Sequence, residues 1–128
     1  MRSNRLNVQI LKPVTEVFAY TTNPQNTPKW ISTIMEEQTN EWPPKIGSIY
    51  RNKDAAGGWS QYEVANIVPN QIFELMSTDG TFHCRYTYKP LADYKCEMEY
   101  FEWHDTDELS EPFKQEYLNK LKRLVEGV

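Results

Sequence analysis

The chain has 128 residues, a length that sets the expectation of one domain spanning residues 1–128. A formal net charge of -4 leaves no surplus of Lys and Arg to neutralise phosphates, so nucleic acid is excluded as the main partner. Hydrophobic residues at 39% and charged residues at 25% are ordinary for a globular protein, whereas 13% aromatics, with eight Tyr and four Trp, bring a polar atom wherever they are buried.

In chain order, Leu6, Val8 and Ile10 alternate with Asn7, Gln9 and Leu11, the pattern of a first strand ending at Lys12. Pro13 stops pairing and opens a helix whose inner face carries Val14, Val17, Phe18 and Thr21. Asn23-Pro24 closes it, and a second short helix is expected over Pro24 to Ile31, with Asn23 as cap and Trp30 against the sheet. Thr33 to Thr39 and Ile46 to Lys53 read as strands joined by the turn-rich EWPPKIG. The loop before Trp59 does not settle which residues of the second strand face inward; Tyr50 is the expected inner residue.

From Trp59 onward the turns set the register. Pro69-Asn70 read as a two-residue connection places Asn66 opposite Phe73, Val64 opposite Leu75 and Tyr62 opposite Ser77. Asp79-Gly80 places Ser77 opposite Phe82, Leu75 opposite Cys84 and Phe73 opposite Tyr86. A long hairpin follows over Phe82 to Glu102, with Tyr88 expected to pair with Cys96, Tyr86 with Met98 and Cys84 with Tyr100 around a Leu91-Ala92-Asp93 loop. One inner face results: Tyr62, Val64, Asn66, Phe73, Leu75, Ser77, Phe82, Cys84, Tyr86, Tyr88, Cys96, Met98 and Tyr100. Beyond Tyr100 the same phase would turn Phe101 and Trp103 outward, which suggests a β-bulge or a sheet edge there. Ser110 to Glu126 closes the chain as an amphipathic helix with Ser110 as cap, Pro112 in the first turn and Gly127 as terminator. Phe113, Tyr117, Leu121 and Leu124 form its apolar stripe, widened by Leu118 and Val125.

A strand, two short helices, six further strands and a long C-terminal helix is the order of the helix-grip fold. The segment VFAYTTNPQNTPKW after Pro13, IGSIYR, YEVANIVPNQIFEL and RYTYKPL together resemble the START-like (SRPBCC) superfamily, in its branch labelled polyketide cyclase/dehydrase and lipid transport. The resemblance implies an α+β fold in which a curved antiparallel sheet of about seven strands wraps around the C-terminal helix, with a hydrophobic cavity between them. It implies no particular reaction, because that superfamily includes lipid carriers, hormone receptors, polyketide cyclases and chaperone co-activators.

No pairing of nucleophile and base is readable: the chain has no G-x-S-x-G, phosphate loop, HExxH or CxxC. His83 falls on the outer face, and His104, with Asp105 and Asp107, lies in a polar connection where nothing converges ligands on a metal, so neither a metal nor any cofactor is expected. Cys84 and Cys96 are expected as small hydrophobes out of disulfide reach. Glu102, at the end of the apolar face, and Tyr100 are the candidates for moving a proton, Glu102 because desolvation there would make it a usable acid or base. The expected ligand-binding residues are Trp30, Tyr50, Tyr62, Val64, Asn66, Phe73, Leu75, Phe82, Cys84, Tyr86, Met98, Tyr100, Phe113, Tyr117 and Leu121, with Met35 beside Trp30 at the cavity mouth. These readings favour a binding or carrier protein for a small hydrophobic, lipid-like or aromatic molecule. The alternatives are a cyclase/dehydratase-type enzyme and a protein-interaction module, in a monomer or homodimer. With no apolar run long enough for a signal peptide or a membrane span, no stable membrane insertion and a cytoplasmic location are expected.

Overall fold

The computed structural model describes residues 1–127. Seven strands form one antiparallel sheet in the spatial order β1-β7-β6-β5-β4-β3-β2: β1 (Ser3–Ile10), β2 (Glu36–Thr39), β3 (Ile49–Lys53), β4 (Trp59–Val68), β5 (Ile72–Ser77), β6 (Phe82–Ala92) and β7 (Lys95–His104). Two short helices, α1 (Val14–Thr22) and α2 (Thr27–Trp30), follow β1, and α3 (Gln115–Glu126) ends the chain. The sheet is curved, and the architecture is the helix-grip α+β arrangement expected from the element order.

Leu6, Val8 and Ile10 of β1 oppose Tyr100, Met98 and Cys96 of β7, so the alternation of both strands lands on one face. Val17 and Thr21 of α1 are buried on that face. The Thr21 hydroxyl lies 2.6 Å from the Tyr88 hydroxyl, which satisfies two polar atoms inside the core. Trp30 is wholly buried at the end of α2. Leu118 and Leu121 of α3, likewise wholly buried, pack that helix down along β1, where Gln115 and Lys122 donate to the carbonyls of Asn7 and Gln9.

The β6–β7 register differs by two residues from the expected one. Tyr86 opposes Tyr100, Cys84 opposes Glu102 and Tyr88 opposes Met98. The chain turns at Asp93-Tyr94, between the paired Ala92 and Lys95, and an irregularity at Leu91 offsets Pro90, which opposes Cys96. A slip of two preserves every side chain's face, so the inner set survives the wrong register. No bulge interrupts β7: Phe101 and Trp103 do point outward, where Arg5 lies over Phe101 and His83 stacks on Trp103 at 4.7 Å. Two aromatic rings on the outer face are accounted for by these cationic and ring neighbours, and Glu102 correspondingly points in.

A second difference lies in the β4–β5 hairpin. Its connection has three residues, Val68 opposing Ile72, with Asn70 in the left-handed region at φ 64, and a bulge at Ala65 then restores the expected pairs Val64–Leu75 and Tyr62–Ser77. Between these two offsets the register is shifted by one. Ile67 therefore opposes Phe73 on the inside, while Asn66 opposes Glu74 on the outer face.

The closing helix is shorter than expected. Glu102 accepts a hydrogen bond from the Phe113 backbone N–H at 2.6 Å, and the Phe113 carbonyl accepts one from Asn4 at 2.9 Å. These bonds hold the lead-in extended through Lys114, so Ser110 and Pro112 lie before the helix rather than in its first turn. Gly127, at φ 79, terminates it as expected, whereas Leu124 is 40% exposed and falls off the buried stripe. Twelve residues at ~1.5 Å each give roughly 18 Å, too short to roof the whole sheet.

Candidate functional site

The part of the inner face that α3 leaves uncovered is hollow. A cavity of about 260 Å³ is walled by Tyr62, Leu75, Phe82, Cys84, Tyr86, Tyr100 and Glu102 from the sheet, and by Glu37 and Asn52 from β2 and β3. Thr27 of α2, Ile31, Thr33 and Ile34 after it, and Glu111 and Phe113 before α3 close it from above. Beside it lies a depression of about 380 Å³ that shares Ser60, Tyr62, Phe82, Glu102 and Glu111 and adds Leu109 and Ser110.

The walls are built from rings stacked on rings. Phe113 lies on Tyr100 with centroids 4.0 Å apart, Tyr100 leans on Tyr86 at 5.4 Å, and Trp30 supports both Tyr86 and Phe113 from behind at 6.1 and 5.9 Å. Offset and edge contacts of this kind fix ring orientation beyond what burial alone does. Tyr62 and Phe82 meet edge to face at 6.3 Å near the mouth.

Of the residues expected to contact a ligand, Tyr62, Leu75, Phe82, Cys84, Tyr86, Tyr100 and Phe113 line the cavity. The others lie elsewhere, for identifiable reasons. Val64, Phe73 and Met98 are buried in the packed core away from the cavity lining, and Tyr117 and Leu121 are part of the packed seam of α3. Tyr50 is wholly enclosed, as its inward phase requires, with its hydroxyl donating to the Thr22 carbonyl at 2.7 Å. Trp30 supports the wall from behind without lining it, and among the described residues its Nε1 has no hydrogen-bond partner. Met35 is 50% exposed and lies outside the cavity lining, and Asn66 lies on the opposite face of the sheet. The cavity thus lies beside α3 and under α2 and its following loop, rather than beneath α3 along its length.

Glu102 is inside, only 3% exposed, but it is not a bare carboxylate in an apolar end. Tyr100 donates to Oε1 at 3.0 Å, while Asn4 and the Phe113 backbone N–H donate to Oε2 at 2.9 and 2.6 Å. Three donors from three separate segments make it an anchor between β1, β7 and the α3 lead-in. Burial, with the thiol of Cys84 and the charge of Glu102 nearby, holds the Tyr100 hydroxyl well above its usual range, so it stays a donor at neutral pH.

On the cavity wall the carboxylate with a raised pKa is Glu37, which alternation alone does not place. Glu37 opposes Asn52 across the β2–β3 pair and shares its face with the inward Tyr50. Burial pushes it up to about 7, against the opposing pull of hydrogen bonds from Thr27, whose hydroxyl donates at 2.6 Å, and from Asn52. Its signal was present but unphased: once Tyr50 is set inward, Asn52 follows by alternation, and Glu37 needs only the cross-strand register. Cys84, buried in the wall, has its thiol pushed up to about 12 by desolvation and by the charge of Glu102, so it remains an unreactive apolar surface. Among the described residues no group of His, Cys, Asp and Glu converges as a metal site. His83 bonds to Asp105 at 3.0 Å on the outer face, and His104 Nδ1 accepts the N–H groups of Thr106 and Asp107.

No family model matches the sequence, and no curated protein does. Solved structures do match in shape. A START superfamily protein from Mycobacterium smegmatis superposes with a TM-score of 0.70 at 14% identity, over 99% of this chain and 96% of its own. The Aha1 dimer from Colwellia psychrerythraea gives 0.71 at 14% identity over 98% and 97%. This protein has the START-like (SRPBCC) fold. A Polyketide_cyc-like protein from Corynebacterium glutamicum gives 0.59 at 20% identity, over 81% of this chain and 66% of its own. At such identities what is shared is the START-like backbone, and the cavity walls are this chain's own. No helix among the described residues is long and apolar enough to cross a membrane.

Proposed function

We propose that this START-like protein binds a compact, partly aromatic or aliphatic molecule in the cavity between Tyr86, Tyr100, Phe113 and Glu37. The observation that carries the reading is the hollow itself, floored by aromatic rings and holding an unpartnered polar atom. Tyr86 is 6% exposed, yet among the described residues its hydroxyl has no hydrogen-bond partner. That hydroxyl is not sealed off from the cavity, so whatever fills the space satisfies it. At about 260 Å³ the space lies just under the ~300–1,000 Å³ of sites for drug-sized ligands, which favours a small guest over a two-chain lipid.

The test is a thermal-shift screen against compact aromatic and aliphatic compounds, run on the wild type and on Cys84→Leu, which fills the cavity from its wall. A compound that raises the wild-type Tm and leaves the variant unmoved supports the reading; no stabiliser across such a library sinks it. One observation favours a second reading, a cyclase/dehydratase-type enzyme: a carboxyl with a pKa near 7 on a cavity wall is poised to both take and give a proton. In that case Glu37, not Glu102, is the acid/base, and Glu37→Gln abolishes turnover while leaving binding of the same molecule in place.

A further inference from the structure

Four carboxylates line the cavity and its mouth: Glu37 and Glu102 within, Asp54 and Glu111 at the exposed rim. Among the described residues none of the four is in an ion pair, and no Lys, Arg or His lines the cavity or the adjoining depression. Elsewhere the chain does pair its charges, as in Arg5–Glu99 at 2.7 Å and Lys122–Glu126 at 2.6 Å. Unneutralised carboxylates around a low-dielectric hollow focus negative potential into it. The walls between them are the faces and edges of Tyr62, Phe82, Tyr86, Tyr100 and Phe113, side chains that attract a cation through their ring electrons. The Tyr86 hydroxyl, on a residue more than nine-tenths buried that lines the same space and with no partner among the described residues, offers a guest a hydrogen bond there.

Resting on the binding function proposed above, and narrowing it, we infer that the cavity's guest is a protonated amine on a compact apolar or aromatic body. The ammonium donates to Glu37 and to the Tyr86 oxygen, and the body lies against the rings. An organic anion is repelled by the same four groups, and a neutral guest of equal shape gains only the apolar contact.

Glu37 gives this inference a second readout. The groups around it are Thr27 from α2, Asn52 and Tyr50 from β3, Tyr62 from β4, and Cys84 and Tyr86 from β6; none is a cation. With its pKa near 7, Glu37 is roughly one-tenth ionised at pH 6 and nine-tenths at pH 8. Affinity for a cation scales with that fraction, so it rises roughly tenfold from pH 6 to pH 8, a range over which an alkylamine stays charged.

The test titrates 2-phenylethylamine, 2-phenylethanol and phenylacetate into the protein, followed by chemical-shift changes of the cavity residues at pH 6 and pH 8. Expected are an amine Kd at least tenfold below that of the alcohol at pH 8, no binding of phenylacetate, and a roughly tenfold weaker amine affinity at pH 6. Glu37→Gln, which keeps an oxygen for Thr27, should erase the pH dependence, and Glu111→Gln at the exposed mouth should weaken the amine alone. Equal binding of alcohol and amine, or tighter binding of phenylacetate, overturns the amine assignment while leaving a ligand-binding cavity in place. Binding by none of the three also overturns it, and the library screen then decides separately whether the cavity takes a guest of another class.

Discussion

Replacing Glu37 with Gln separates a half-buried, titrating carboxyl from an ordinary polar wall. In the folded chain its pKa rises from 4.5 to about 7, with burial the leading cause. At ~1.4 kcal/mol per pH unit that rise amounts to at most about 3 kcal/mol, since Glu37 keeps part of its contact with water. The folded state holds the proton more tightly than the unfolded state does. Glu37 therefore contributes stability that is fully present below about pH 4.5 and lost as pH climbs through about 7. Wild-type stability should accordingly fall by up to about 3 kcal/mol between pH 5 and pH 8 relative to Glu37→Gln, which has no charge to desolvate and retains an acceptor for Thr27. Asp79, Glu108 and Glu126 have lowered values, so their contributions are lost only as pH falls below the ordinary carboxylate range, outside this window. They are also common to both proteins and cancel in the difference. Urea unfolding of both proteins at pH 5, 6, 7 and 8, followed by tryptophan fluorescence, supplies the comparison. Two parallel stability curves would show that Glu37 titrates as in water and would refute its desolvation on the cavity wall.

Tyr86→Phe deletes a hydroxyl that has no partner among the described residues, so its unfolding free energy should stay within about 1 kcal/mol of wild type, whereas Tyr86→Ala should cost roughly 3 to 5 kcal/mol by opening the ring stack. Glu102→Ala strips the acceptor from Tyr100, Asn4 and the Phe113 N–H at once, and a loss of about 3 kcal/mol or more in denaturant unfolding is expected; a loss below about 1 kcal/mol contradicts its role as anchor. Cys84 and Cys96 are free and buried, so a thiol reagent at pH 8 should modify neither in the folded protein and both in denaturant. Asn66→Ala, on the outer face, should change stability by less than about 0.5 kcal/mol.

What could be read from the sequence follows from which errors a sheet forgives. The β6–β7 pairing was displaced by two residues, yet Tyr86, Cys84 and Tyr100 still fell on the inner face, because side-chain direction repeats every two residues. At Asn66 the displacement was one residue, produced by a longer turn and cancelled by a bulge a few residues on, and one residue is enough to reverse the face. Glu37 was hidden because β2 is four residues long and its register depends on the irregular segment before β3, which carries no periodic signal. The start of α3 is hidden for another reason: Ser110 and Pro112 are good helix-opening residues locally, but a hydrogen bond from the Phe113 N–H to distant Glu102 and one from Asn4 to the Phe113 carbonyl hold the backbone there extended. That same tether leaves the end of the sheet unroofed, so the cavity's place beside α3 is a tertiary consequence with no local signature.

Native mass spectrometry of the protein purified from its own host tests the occupied cavity most directly. The expected result is a species heavier than the 15.1 kDa chain by one small molecule, released under denaturing spray and lost from Cys84→Leu. The bare chain mass alone in the wild type, or an adduct retained undiminished by the cavity-filling variant, would contradict it.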